Sequence, residues 1–260
     1  MTALQRKPAQ RWLAVCDIDD TLTGDAQALQ DLAHALNDAG KSVVLAVNSS
    51  RPAASVAATL AQDFPDNLVP DAVVTALGTE ISVGGTAVPA WQSRFSGWPH
   101  DSVFAILAAQ GHQPHDHMYQ TAHKVSFAVP KSKQADARRA LSDAGIGCDV
   151  ITSGHDDFDV LPRGAGKAAA TLFLAQYFGI DQSCLVVAGD SGNDLDMFLA
   201  APNRIAVANA RTELIDALPP GSFYHARHPF AAGVHEGFRH FGMLPSPTAN
   251  TRLSAGALEP

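Results

Sequence analysis

Five consecutive segments alternate between two textures: "WLAVCD", then "AQALQDLAHALNDAG", "KSVVLAVNSS", "RPAASVAATLAQDF" and "DAVVTALG". The first, third and fifth are short apolar runs, and the second and fourth carry Ala and Leu at helical spacing. Strand, helix, strand, helix, strand predicts an α/β chain with a parallel sheet covered by helices. Gly40 is a suitable helix stop, and Pro52 sits where a first helical turn tolerates it. The same texture returns late, in "GKAAATLFLAQYFG", "CLVVAGDSGND", "LDMFLAA" and "RIAVANA".

Between these blocks the rhythm changes. "FAILAAQG" reads as helix, "KVSFAVP" as an alternating strand, "SKQADARRALSDAG" as helix and "CDVITSG" as strand. Two helices and strands in this order predict a smaller α+β unit inserted at residues 84–157. The core is then discontinuous, formed by residues 1–83 and 158–243. The end, residues 244–260, lacks periodicity and is rich in small and turn residues, so a loose tail is expected.

Composition narrows the function. The formal net charge is −8 and no run of Lys or Arg is present, which argues against a nucleic-acid partner. The 12-residue start "MTALQRKPAQRW" lacks an apolar signal core, and no apolar stretch approaches the ~20 residues needed to span a bilayer. Cys16, Cys148 and Cys184 have no metal-type spacing and read as free thiols in a reducing compartment. A cytoplasmic protein with no membrane partner is expected.

In parallel α/β sheets, ligands bind beyond the carboxyl ends of the strands. After "WLAVC" come Asp17, Asp19 and Asp20; after "VVLAVN" come Ser49, Ser50 and Arg51; after "CLVVAG" come Asp190, Asn193 and Asp194. Lys167 opens a helix behind the glycine-rich "PRGAGK". So dense a group of carboxylates needs a positive partner. Mg²⁺ supplies one, because it takes hard oxygen ligands and usually retains several waters and a substrate phosphate. A phosphoryl group accounts for the rest: Ser49 and Lys167 can hold its oxygens, and an Asp carboxylate is a known nucleophile for phosphoryl transfer.

"DIDDTLT", "NSSR", the lysine of "GAGK" and "GDSGND", in this order, resemble the four motifs of haloacid dehalogenase-like phosphotransferases. An insert between the second and third motifs resembles the cap of subclass IIB. "GTEI", "HKVSF", "DFDVLP" and "GDSGNDLDMF" are similar to the sucrose-phosphate phosphatase branch, a likeness that covers most of residues 12–242. Two departures stand out: Ser50 replaces the usual glycine of the second motif, and Asp20 stands where many relatives have glycine or asparagine.

The resemblance implies a Mg²⁺-dependent phosphatase acting on a phosphorylated disaccharide, with sucrose 6-phosphate first. A mannosylfructose-phosphate phosphatase, a phosphomannomutase-type mutase and a non-catalytic binding protein are the alternatives. It implies Asp17 as nucleophile and Asp19 as general acid and base. Asp17, Asp19 through its carbonyl, Asp190 and Asp194 would serve the metal, while Ser49, Ser50, Lys167 and Asn193 would serve phosphate. The insert is expected to choose the sugar. Alternation in "HKVSF" puts Lys124 and Ser126 on one strand face, turned to the cleft if Val125 and Phe127 pack inside. Thr79, Glu80, His155 and Asp157, near the hinge, are further sugar candidates. Association with a glycosyl-phosphate synthase and a monomeric state complete the partner expectations. His112, His115, His117 and His123 fit no closed zinc pattern and read as loop histidines, one or two of them facing the sugar.

Overall fold

The computed structural model describes residues 10–245. The expected doubly covered sheet is formed by β1 (Trp12–Cys16), β2 (Val43–Asn48), β3 (Ala72–Thr75), β4 (Glu80–Val83), β5 (Thr86–Ala87), β10 (Leu185–Gly189), β11 (Asn203–Ala206) and β12 (Tyr224–His225). Its order is β12-β11-β10-β1-β2-β3-β4-β5, parallel from β12 to β3 and antiparallel across β3, β4 and β5. The strand alternation of β1 explains the two layers. Ala14 and Cys16 pack on one face with Leu29, Leu32, Val234 and Phe238, from α1 (Ala26–Ala39) and α9 (Phe230–His240). Leu13 and Val15 pack on the other with Leu174, Met197, Phe198 and Leu214, from α6 (Lys167–Phe178), α7 (Leu195–Ala200) and α8 (Thr212–Ala217). α2 (Ala53–Gln62) adds Val56 to the first layer.

Local chemistry starts and stops these helices. Asp25 caps α1 by accepting from the Ala28 backbone N–H at 3.0 Å, and Leu29, Leu32, Ala33 and Leu36 form its buried stripe. α6 ends at Gly179, which takes a left-handed φ of 64°.

The inserted unit is a four-stranded antiparallel sheet, ordered β6-β7-β9-β8, from β6 (Gln113–Pro114), β7 (Val125–Ala128), β8 (Cys148–Ser153) and β9 (Asp157–Pro162). α4 (His100–Ala109) and α5 (Gln134–Asp143) cover one face, burying Val103, Leu107, Ala137 and Leu141 against Val125, Phe127, Phe158 and Val160. That leaves the opposite face of the sheet, carrying Lys124, Ser126, Asp157 and Asp159, to look at the core.

The strand pairings move the expected boundaries. β5 belongs to the large sheet, and Trp91 of α3 (Pro89–Gln92) is fully buried in the core layer with Phe95, so residues 84–95 are core rather than insert. At the other end β9 pairs with β7 and β8, so the small sheet continues to Pro162 instead of ending at Asp157. The expected tail also starts late, because Leu244 is buried with Met243; residues 246–260 lie outside the described residues.

Candidate active site

β1, β2 and β10 are neighbours, and their carboxyl ends deliver Asp17, Ser49 and Asp190 to one rim. The segment after β10 folds into a capping box: the Ser191 side chain accepts from the Asp194 backbone N–H, and Asp194 Oδ2 accepts from the N–H groups of Asp190 and Ser191 at 3.0 and 3.2 Å. Gly189 permits this turn, since a Cβ there would lie 2.5 Å from Asp194 Oδ2. The other carboxylate oxygen of Asp194 accepts from Lys167 Nζ at 2.7 Å, and the same ammonium donates to Asp17 Oδ1 at 2.6 Å.

Lys167 and Asp194 are fully buried, and Asp17 is 5% exposed. Burial pushes the Asp17 carboxyl up to about 8, against the pull of Lys167, and burial with Asp194 pushes Asp190 up to about 7. For Lys167 burial opposes the charge, but the two adjoining carboxylates outweigh it and raise its pKa. Lys167 therefore bridges two of three carboxylates, Asp17, Asp190 and Asp194, which bring one oxygen each within 4.8 Å of one another. An all-oxygen donor set with surplus negative charge fits a hard divalent cation. Asp17 and Asp190 are the best placed of the three to hold it. Asp194 contributes the third oxygen of the group and, with both oxygens on protein donors, also orients Lys167 and the 190–194 loop.

Above this cluster lies a cleft of about 380 Å³ between core and insert. From the core it is lined by Asp17, Asp19, Asp20, Ser50, Arg51, Asp190, Ser191, Asn193 and Arg211. From the insert it is lined by His115, Tyr119, Lys124, Ser126, Ser153, Asp157 and Asp159. Val125 and Phe127 are buried as expected, and Lys124 on the other face enters the cleft. Its ammonium donates to the Ser50 carbonyl at 3.0 Å and lies 3.3 Å from Asp159 Oδ1, so it ties insert to core.

The remaining sequence candidates divide. Ser50 and Asn193 reach the cleft. Ser49 is 1% exposed, and its Oγ accepts from the Arg51 backbone N–H at 3.2 Å, holding the turn after β2. Asp157 lies in the cleft, with its Oδ1 3.2 Å from His115 Nε2. Thr79, Glu80 and His155 do not line it. Thr79 is buried and donates to the Ala76 carbonyl at 2.9 Å; Glu80 accepts from Thr75 Oγ1 at 2.7 Å on the β3–β4 ladder. His155 is 93% exposed at a turn. "GTEI" is instead a tight joint: Ala76, Leu77 and Gly78 all have positive φ, and a Cβ on Gly78 would meet the Gly166 carbonyl oxygen at 2.2 Å, next to Lys167.

Arg51 was expected on the rim but without a partner; its Nε lies 2.9 Å from Asp19 Oδ2, orienting that carboxylate. Sequence reasoning missed several cleft residues. Asp159, Tyr119 and Arg211 come from segments far apart in the chain and are joined only by folding. A separate depression of about 510 Å³ near α1 and α9 holds none of the site residues.

The sucrose-6F-phosphate phosphohydrolase family matches residues 10–242. Sucrose-phosphatase 2 of Nicotiana tabacum is 32% identical over 93% of this chain and 62% of its own length, so the chain spans less than two thirds of that relative. The mannosylfructose-phosphate phosphatase of Agrobacterium fabrum is 31% identical over 88% of this chain and 96% of its own. The solved sucrose-phosphatase of Synechocystis, in complex with sucrose and phosphate, superposes with a TM-score of 0.83 at 29% identity, covering 91% of this chain and 100% of that one. With the motif residues gathered on one rim beneath an inserted antiparallel sheet, the chain belongs to the sucrose-6F-phosphate phosphohydrolase family.

Proposed function

We propose that this protein hydrolyses the phosphate ester of a phosphorylated disaccharide, sucrose 6-phosphate first, with Mg²⁺. The observation that carries the reading is the buried Asp17–Lys167–Asp194 array opening, beside Asp190, into a cleft whose far wall is polar and belongs to the insert. Asp17 attacks phosphorus while the ester P–O bond breaks, and the leaving alkoxide takes its proton from Asp19. Water then attacks the aspartyl-phosphate, Asp19 accepts the water's proton, and phosphate leaves with Asp17 regenerated. Arg51 holds Asp19 in place for both transfers. Lys167, Ser50 and Asn193 meet the phosphoryl oxygens. Mg²⁺, held by Asp17, Asp190 and the Asp19 carbonyl, would neutralise charge on the phosphoryl group.

A mannosylfructose phosphate is the second substrate to test, because the Agrobacterium relative matches along nearly its whole length. A mutase needs a second phosphate site, and the insert contributes no arginine to the cleft among the described residues. Arg138 and Arg139 are exposed on α5, and Arg94 lies over Trp91. Phosphate release from a panel of sugar phosphates, with Mg²⁺ and after chelation, tests the reading. Release from a disaccharide phosphate that stops on chelation and returns with Mg²⁺ is expected. Equal rates with and without chelator would remove the metal, and no release from any ester would remove the phosphatase.

Sugar selectivity should reside in the insert, since the rim handles groups common to all phosphate esters. Lys124→Ala is expected to lower kcat/KM for the disaccharide phosphate by about 10-fold or more, as for a lost charged hydrogen bond. It should leave a small aryl phosphate within about twofold, because that substrate scarcely touches the insert. Parallel assays on the two esters check this; equal losses on both would assign Lys124 only to closing the cleft.

A further inference from the structure

We propose that Arg211 is a substrate-binding residue of the cleft, which draws in the anionic ester and holds its phosphoryl group at the mouth, with Asp20 as its resting partner. This rests on the phosphatase reading but adds a residue that none of the four motifs contains. An acid-lined cleft repels a phosphate dianion, so capture needs a cation that is free to turn. Among the described residues, the other Lys and Arg side chains at the site are committed. Lys167 bridges two buried carboxylates, Lys124 is 3% exposed between Ser50 and Asp159, and Arg51 binds Asp19, Ser55 and Thr59.

Arg211 differs in each respect. Its guanidinium lies 3.7 Å from Asp20 and 3.8 Å from Asp190, beyond hydrogen-bond length for both, and its side chain is 55% exposed. Its root is fixed: the backbone N–H donates to the Asp190 carbonyl at 2.7 Å, and the residue caps α8, whose Leu214 is buried. A planar guanidinium on an anchored pivot suits bidentate capture of phosphate oxygens. Asp20 is matched to this use. It sits at a φ of 58° with its carbonyl accepting from Asn209 Nδ2 at 2.7 Å, so its carboxylate is held at the mouth, where it draws Arg211 aside until an anion competes.

The test uses Arg211→Gln, Arg211→Lys and Asp20→Asn, each assayed on an aryl phosphate and a disaccharide phosphate. Asparagine tolerates the left-handed backbone at position 20. Arg211→Gln is expected to raise KM about 10-fold on both esters with kcat within about twofold, and to flatten the fall of kcat/KM with ionic strength. Arg211→Lys should recover part of the loss, and Asp20→Asn should lower KM. The Mg²⁺ concentration for half-maximal activity should not move. Unchanged KM in Arg211→Gln, or a shifted Mg²⁺ requirement with KM unchanged at saturating metal, would overturn the proposal. If the wild type hydrolyses no ester, the phosphatase reading falls by itself. Calorimetric titration with inorganic phosphate then decides Arg211: weaker binding in Arg211→Gln supports it, and equal binding removes it.

Discussion

Asp17→Asn is expected to lower turnover by roughly 10⁴-fold or more while leaving the fold intact. An amide is a far weaker nucleophile, and losing the attacking group generally removes most of an enzyme's advantage over water. The fold should survive because Asp17 is the surplus acid of its cluster. Lys167 keeps Asp194 at 2.7 Å, and one buried carboxylate that resists ionisation has been exchanged for a neutral group. Unfolding midpoints should therefore match or exceed those of the wild type. Phosphate release, with mass spectrometry of acid-quenched protein for a phosphorylated Asp17 peptide, checks the mechanism. Substantial turnover by the variant, or a phosphorylated peptide that lacks Asp17, would refute nucleophilic attack by this residue.

The different fates of Lys124 and Thr79 mark what the sequence discloses. Lys124 was legible because β7 alternates: buried Val125 and Phe127 leave only one direction for their neighbours. Thr79 and Glu80 were assigned from nearness to the hinge. Their orientation depends on a turn of successive positive φ values that no apolar pattern announces. The core strands were readable because β1, β2 and β10 are apolar runs closed by polar residues, and the same rule located Asp17, Ser49 and Asp190. β9 falls on the core side of the expected boundary at residue 157, whereas its pairing with β7 and β8 is a long-range choice that the local sequence does not display. The ion pairs of Asp19 with Arg51 and of Lys124 with Asp159 span 32 and 35 residues, and Lys167 meets Asp17 across 150. Motifs name such residues without saying which atoms will touch.

Lys167 carries the largest combined effect. Lys167→Met is expected to reduce kcat by roughly 10²–10³-fold, as for loss of one fixed donor to a developing anion, and to lower the melting temperature. The ammonium has no exposed surface and donates to Asp17 at 2.6 Å and Asp194 at 2.7 Å. Removing one partner of a buried pair costs about 3–5 kcal/mol, because the charge left behind is uncompensated. Part of that is recovered, since burial already raises the Asp17 pKa, and loss of the lysine lets the carboxyl take up a proton in place of the lost partner. The remainder, about 2–3 kcal/mol, corresponds to a fall in melting temperature of about 5 °C for a chain of this size. Asp194 directs where the damage spreads. Its other oxygen still accepts from Asp190 and Ser191, so the 190–194 loop should keep its shape while the Asp17 side loosens. Adding Asp17→Asn to Lys167→Met should restore part of the lost stability and none of the activity, since the double variant leaves one carboxylate fewer without a cation. Thermal unfolding of the single and double variants measures this coupling. Strictly additive shifts, or a Lys167→Met midpoint equal to the wild type's, would mean that the buried array does not hold the two strand ends together.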